Sequence, residues 1–142
     1  VTGVQTCALP IFSELRALPK SRQGVGCKDP LNPPPHLGAT AGKACDVQRC
    51  LLCAQHAVLL PESLDGIAMR EAELKVLQSC MPATTWAEAS YDVELENHKL
   101  ALRRYDLNQV LEARARWRKS IVSGEHVVPG IPASATIDIE VV

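Results

Sequence analysis

The chain has 142 residues, with 15 lysine and arginine residues against 16 aspartate and glutamate residues, which gives a net charge of −1. This length fits one domain with a modest core, and the near-neutral charge excludes a generally polycationic nucleic-acid binder. Hydrophobic residues make up 46% of the chain, which excludes wholesale disorder. Aromatic residues make up only 4%, too few for a platform that stacks single-stranded nucleic acid. No apolar run approaches the roughly 18 residues of a membrane span, so we predict no membrane contact.

The first eleven residues form a segment unlike the rest. They lack Met at position 1 and contain no Lys or Arg, whereas a secretory signal needs a basic start before its apolar stretch. The segment resembles the in-frame translation of a common sequencing adapter over all eleven codons, and the alternative is a natural extended arm. We exclude residues 1–11 from fold reasoning, expect the reading frame to continue upstream, and expect a cytoplasmic protein.

Five cysteines remain, and four of them lie close together. Their pattern is C-x17-C-x4-C-x2-C, and His56 follows the last of them. An odd cysteine number without a secretory context argues against a disulfide framework. Zn²⁺ prefers four tetrahedral thiolate or imidazole ligands, so we predict a structural zinc site. Its predicted ligands are Cys27, Cys45, Cys50 and Cys53.

Two questions stay open at this site. The fourth ligand is Cys27 or His56, with His36 a third choice, and we favour Cys27 because turn-forming residues surround it. There are two alternatives to a zinc site. The cysteines are buried free thiols that pack as small apolar residues, or Cys50 and Cys53 form a redox C-x-x-C pair. Cys80 lies on an apolar stripe and is predicted to be core.

We expect a mostly α-helical chain. Residues 12–26 are predicted to be a linker, residues 27–60 a small Cys-rich, zinc-stapled loop module, and residues 61–122 two or three helices. An irregular tail follows at 123–142, with a short strand pattern at 136–141. Residues 57–60 read as a brief strand or as a wall of the zinc module.

The helix boundaries follow from local signals. Apolar residues at helical spacing predict a first helix from Leu64 that stops before Pro82. A capping box at Thr85 predicts a second helix from about residue 86 to 104, and a cap at Asp106 predicts a third from 107 to about 119. The alternative is one long helix over residues 82–119 with a mild break. An apolar seam with seven-residue spacing is formed by Trp86, Val93, Leu100 and Leu107.

Charge is segregated along the helical region. Residues 62–96 carry eight acidic and two basic side chains, and residues 99–119 carry seven basic and two acidic ones. One interpretation is that the basic helix presents a solvated face that pairs with the acidic helix. Glu71 and Glu73 lie in the acidic helix and are predicted to be solvated. The other is contact with DNA phosphates. The candidate DNA-contacting residues are Arg103, Arg104, Arg114 and Arg118.

The run from Gly26 to Pro30, the three prolines 33–35, Gly42 and the cysteines resemble a C-terminal segment of large bacterial tyrosine-type site-specific recombinases. This resemblance covers about residues 24–80. It implies a segment that lies beyond the catalytic domain of a mobile-element integrase. No His is followed three positions later by Arg, as the family's catalysis requires, and Tyr91 and Tyr105 lie in apolar helical patterns. We therefore expect no catalytic residue in this chain.

Two functions remain open. The first is a non-catalytic accessory region of a mobile-element integrase that supports DNA contacts or contacts between protomers, with possible self-association. The alternative is a zinc-dependent protein-interaction module of a bacterial regulator without DNA binding. A metal-dependent or redox enzyme is a third and weaker hypothesis, because no general base accompanies the cysteines.

Overall fold

The structure is a computed structural model that describes residues 12–39 and 43–131. The segment 1–11 with its adapter resemblance and the strand pattern at 136–141 lie outside the described residues. The chain is mostly helical, as predicted, with five helices and one two-stranded sheet in the described ranges. It divides into two compact units, Val1–Ser63 and Leu64–Val142.

In its described parts, residues 12–39 and 43–63, the first unit contains little regular structure. Helix α1 covers Phe12–Arg16, and strand β1, Gly26–Cys27, pairs antiparallel with strand β2, Ala57–Val58. Cys27 lies opposite Ala57, so the first predicted zinc ligand sits in the sheet. Three single 3₁₀ turns complete the unit, at Pro35–Leu37, Cys50–Leu52 and Pro61–Ser63.

The prediction that residues 12–26 form a linker is wrong. Gln23 and Val25 are fully buried, and Lys20 forms an antiparallel bridge with Gly26. The Gln23 side-chain amide donates to the backbone oxygen of Gln48 at 2.9 Å. A left-handed turn at Gly24, with φ of 72°, lets the chain fold back on itself in this way. The folded unit therefore begins well before its first predicted zinc ligand.

The core of the first unit is small. Among its described residues, the buried hydrophobic side chains other than Pro34 are those of Val25, Cys53 and Leu60. Ordering a residue costs about 1–2 kcal/mol of backbone entropy, which so few buried side chains do not offset. The unit therefore depends on something beyond hydrophobic burial for its stability.

The second unit contains the four longer elements of the chain. These are α2 (Leu64–Cys80), α3 (Ala83–Glu88), α4 (Tyr91–Leu102) and α5 (Leu107–Val122). Helix α2 ends before Pro82 as predicted, and the predicted cap of α5 is confirmed, because Asp106 Oδ2 accepts a hydrogen bond from the Gln109 backbone N–H at 3.1 Å.

The predicted continuous helix from residue 86 to 104 is wrong. Helix α3 begins at Ala83 directly after Pro82, so Thr85 lies inside the helix and caps nothing. The chain then leaves the helical path at Ser90, which adopts a left-handed conformation with φ of 60°. The break separates α3 from α4 and changes the direction in which α4 presents its side chains.

Helix α2 is the centre of the second unit, with α4 and α5 packed against it and α3 packed against α4. Cys80 and Tyr91 are partly buried against the main cluster, and the Tyr91 ring lies 5.3 Å from that of Trp86. The buried members of this cluster are Leu74, Val76, Leu77, Trp86, Leu95, Ile121 and Val128.

The predicted apolar seam does not form. Trp86 is buried, but Val93, Leu100 and Leu107 are 50%, 46% and 67% exposed. The seven-residue spacing was counted across the break at Ser90 and across the turn before α5, where the helical period does not apply. Three large apolar side chains therefore face solvent.

Glu71 and Glu73 are not solvated as predicted but are 1% and 0% exposed. Arg114 of α5 holds Glu71 in a two-pronged pair, with both N···O distances 2.8 Å. His126 Nε2 lies 2.7 Å from Glu73 Oε2. Buried carboxylates of α2 thus join it to α5 and to the segment that follows α5.

A second buried pair joins α2 to α4. Arg70 Nε donates to Glu94 Oε2 at 2.8 Å, and Arg70 also lies 3.3 Å from Glu73 Oε1. Glu94 is fully buried, as is His98 one turn later. The Nδ1 of His98 lies 2.8 Å from the backbone oxygen of Glu94, a contact that requires an N–H at Nδ1.

Stability is expected to fall as the pH drops below about 6.5, in part because of His98. Burial lowers the pKa of His98, and it outweighs the opposing effects of the Glu94 carbonyl and carboxylate. The unfolded chain, with an ordinary His pKa of about 6.5, then binds more protons than the folded chain in this window. Between about pH 7.5 and about pH 5.5, the free energy of unfolding measured in urea should fall less for His98→Asn than for the original chain. An equal fall in both proteins would contradict the assignment to His98.

Candidate metal centre and basic surface

The predicted zinc ligands come from separate parts of the first unit. Cys27 lies in β1, and its backbone N–H donates to the Pro19 oxygen at 2.8 Å. Cys45 is held by a hydrogen bond from its N–H to the Pro30 oxygen at 2.7 Å. Cys50 opens a 3₁₀ turn, and Cys53 follows that turn with its N–H bonded to the Cys50 oxygen at 2.9 Å.

All four cysteines line one cavity, together with several prolines and Leu37. Their sulfurs are close enough to influence one another electrostatically. Burial raises the pKa of Cys50, the charges of Cys27, Cys45 and Cys53 raise it further, and a hydrogen bond with the Ser21 hydroxyl opposes these effects. Burial also raises the pKa of Cys53, against a hydrogen bond from the backbone N–H of His56. A cation in this cavity would favour the thiolate forms of Cys50 and Cys53.

The described residues hold no assembled metal site. Within residues 12–39 and 43–131, no group of three or more His, Cys, Asp or Glu side chains is positioned to hold a metal ion. The donor set is nevertheless the one that structural zinc takes, with four sulfurs from a loop-rich unit. Zinc binding therefore stays a prediction that rests on the donor set and the shared cavity.

His56 also lines the cavity but is engaged elsewhere. Its Nε2 lies 3.1 Å from the Asn32 backbone oxygen, so this nitrogen carries a hydrogen and has no lone pair for a metal. His36 Nε2 makes a similar contact with the Leu52 oxygen at 2.9 Å. A neutral imidazole with its hydrogen on Nε2 keeps its lone pair on Nδ1, so these contacts leave the choice of the fourth ligand between Cys27 and either histidine open.

The other two interpretations of the cysteines fit the geometry less well. Buried structural thiols are fully enclosed, but Cys27, Cys45 and Cys50 are only partly buried. A redox pair needs a thiol with a lowered pKa, whereas the pKa of both Cys50 and Cys53 is raised. All five described cysteines are free thiols.

The four candidate DNA-contacting arginines are in different situations. Arg103 and Arg104 are exposed at the end of α4, and Arg118 is partly buried near the end of α5. Arg114 is engaged by Glu71, and the neighbouring Arg116 pairs with Asp65. Pairing of the basic helix with the acidic one therefore accounts for two of its arginines.

Sequence reasoning missed two features of these sites. The first is the hydrogen bond between the Ser21 hydroxyl and Cys50, because Ser21 lies in the segment predicted to be a linker. The only indication of this contact in the sequence is a short polar residue before a glycine turn. The burial of Glu71 and Glu73 has a weak signal, which is the absence of any uninterrupted polar face on α2.

Compared with known proteins, the chain matches no family model, no curated protein and no solved structure. Among the described residues, no helix combines the length and the apolar character needed to cross a bilayer. The functional argument therefore depends on the residues themselves.

Proposed function

We propose that this chain is a non-catalytic accessory region of a mobile-element site-specific integrase, and that a structural zinc ion holds its first unit together. In this role the chain supports contacts with DNA or between protomers. The single observation that carries the proposal is the shared cavity of Cys27, Cys45, Cys50 and Cys53. Its cysteine spacing is also the part of the sequence that resembles the recombinase segment.

Zinc supplies what the first unit lacks. Structural zinc in small modules contributes an apparent ~10–16 kcal/mol to folding. The few buried apolar side chains of this unit contribute only about 1.5–3 kcal/mol each. Zinc chemistry here is structural, because four thiolates leave no open position for a water.

The DNA part of the proposal is supported by Arg103 and Arg104. Both are exposed, and neither makes an ion pair with another described residue. Two arginines neutralise two phosphates at most, which supports weak binding without sequence preference. The end of α4 therefore contacts a short stretch of the DNA backbone and does not recognise a DNA sequence.

The zinc-loaded full chain is expected to bind a fluorescent DNA duplex of about 30 base pairs weakly and to lose affinity as salt rises. With two phosphate contacts, the logarithm of affinity falls by about 1.8 for each tenfold increase in salt. Fluorescence anisotropy at several salt concentrations measures this slope. The double variant Arg103→Ala/Arg104→Ala should nearly abolish it.

The matched control is Arg116→Ala, which removes an equally charged residue that already pairs with Asp65. This variant should keep the slope of the unmodified chain. Absence of binding at low salt, or equal slopes for control and double variant, would remove DNA from the proposal. If DNA binding persists after complete removal of zinc, the DNA contact does not depend on the zinc module.

The protein-interaction module without DNA binding is the second candidate. The observation that favours it is the exposure of Val93, Leu100 and Leu107, together with Leu111 at 51%. Val93 and Leu100 share one side of α4, and Leu107 and Leu111 share one side of α5, and contiguous exposed apolar patches mark protein contacts. A chain that holds zinc but fails the DNA titration fits this candidate.

A further inference from the structure

Helix α4 carries a stripe of exposed residues along one side. We call this set the α4 stripe, and its members are Val93, Glu96, Leu100, Arg103 and Arg104. Positions that differ by three, four, seven or eleven lie on the same side of a helix. Arg103 keeps right-handed helical backbone angles, φ −64° and ψ −16°, so the turn continues past the last helical residue. The stripe thus runs from the first turn of α4 to its end.

The charges of the stripe are ordered around its central leucine. Glu96 lies four residues before Leu100, and Arg104 lies four residues after it, which is about 6 Å in each direction. Neither charge forms an ion pair with another described residue. The opposite face of α4 is occupied, because Glu94, Leu95, His98 and Leu102 are buried in the unit.

We propose that the α4 stripe binds a second copy of this chain in an antiparallel arrangement, with the two Leu100 side chains in contact at a twofold axis. This inference specifies the protomer contact of the proposed function and rests on it to that extent. Rotation about the axis places Glu96 of each copy opposite Arg104 of the other. Isologous interfaces of this kind require a surface complementary to itself, which the order of charges provides.

The order of charges selects both the partner and the orientation. A parallel arrangement would place Glu96 against Glu96 and Arg104 against Arg104, which is unfavourable for like charges at this spacing. An uncharged or uniformly charged partner would leave one of the two signs unmatched. The stripe is only about 18 Å long, and stable dimers bury about 800 Å² on each partner. We therefore expect a weak dimer, with a Kd on the order of 100 μM.

Sedimentation equilibrium of the full chain at low salt, over a range of concentrations that spans this Kd, tests the proposal. Glu96→Arg alone and Arg104→Glu alone each create two like-charge contacts across the axis and should weaken the dimer at least about tenfold. The double variant Glu96→Arg/Arg104→Glu restores opposite charges with exchanged positions. Its Kd should return to within about threefold of the original value.

Leu100→Ser should weaken the dimer, because the two Leu100 side chains meet at the axis, and Leu111→Ser is its matched control, because Leu111 is 51% exposed on α5 and outside the stripe. Circular dichroism of each variant checks that the helices persist. A chain that stays monomeric, or a dimer that is insensitive to both single charge reversals, overturns the inference. A monomer that still binds zinc and DNA would overturn this inference and leave the proposed function intact.

Discussion

Replacement of Arg70 by methionine is expected to lower the free energy of unfolding by about 3–5 kcal/mol. Arg70 is 7% exposed and faces two carboxylates, Glu94 and Glu73, that are fully buried. Burial works to lower the pKa of Arg70, but its hydrogen bonds and the charges of both carboxylates outweigh burial and raise it. Methionine fills similar volume and leaves both carboxylates without this cation. Urea unfolding of the full chain followed by circular dichroism measures the loss.

The control is Arg116→Met, the same change at an exposed pair. The side chains of Arg116 and its partner Asp65 are 59% and 52% exposed, and solvent screens such pairs to about 0–1 kcal/mol. A loss below about 1 kcal/mol for both variants would mean that the buried pair is hydrated or dispensable. The contrast between two Arg→Met changes isolates burial as the cause.

Replacement of Cys27 by serine is expected to abolish zinc binding and to unfold the first unit. The original chain should hold about one zinc per molecule, and the loss of one thiolate from four removes most of the ~10–16 kcal/mol that structural zinc contributes. The buried amides of Val25 and Leu60 report on folding of this unit by NMR, because both side chains are at most 1% exposed. Zinc content is measured by elemental analysis of the purified full chain.

Two further variants serve as controls for Cys27→Ser. Cys80→Ser changes a cysteine of the second unit that packs against the main hydrophobic cluster, and it should keep the zinc. His56→Ala should be mild if Cys27 is the fourth ligand. Well under one zinc per original chain, with signals of the first unit unchanged in chelator, would refute the metal site. A severe effect of His56→Ala would instead assign His56 as a ligand.

The sequence was informative where the signal is local. Asp106 caps α5 because the capping hydrogen bond spans only three residues, so composition and spacing suffice to find it. The stop of α2 before Pro82 is equally local. The four cysteines, which are close in sequence, also line one cavity, while zinc binding stays a prediction.

The sequence was less informative where burial depends on distant partners. The buried Glu71 and Glu73 have cations nearby in α2, Lys75 and Arg70, but they also need partners far along the chain, Arg114 and His126. Nothing in a window around α2 reveals those partners. The exposed side of α4 was missed for a related reason, since the left-handed Ser90 shifts the helical phase between Trp86 and Val93.

The long sequence separation of these ion pairs has a consequence for the order in which the second unit is made. Arg114 follows its partner Glu71 by 43 residues, and His126 follows Glu73 by 53. At about 5–20 residues per second, several seconds pass between synthesis of α2 and arrival of His126. Until then Glu71 and Glu73 have only water and two cations of α2, Lys75 and Arg70, to compensate their charges. The ion pairs that join α2 to α5 and to the segment after it therefore form late, once those parts of the chain have been made.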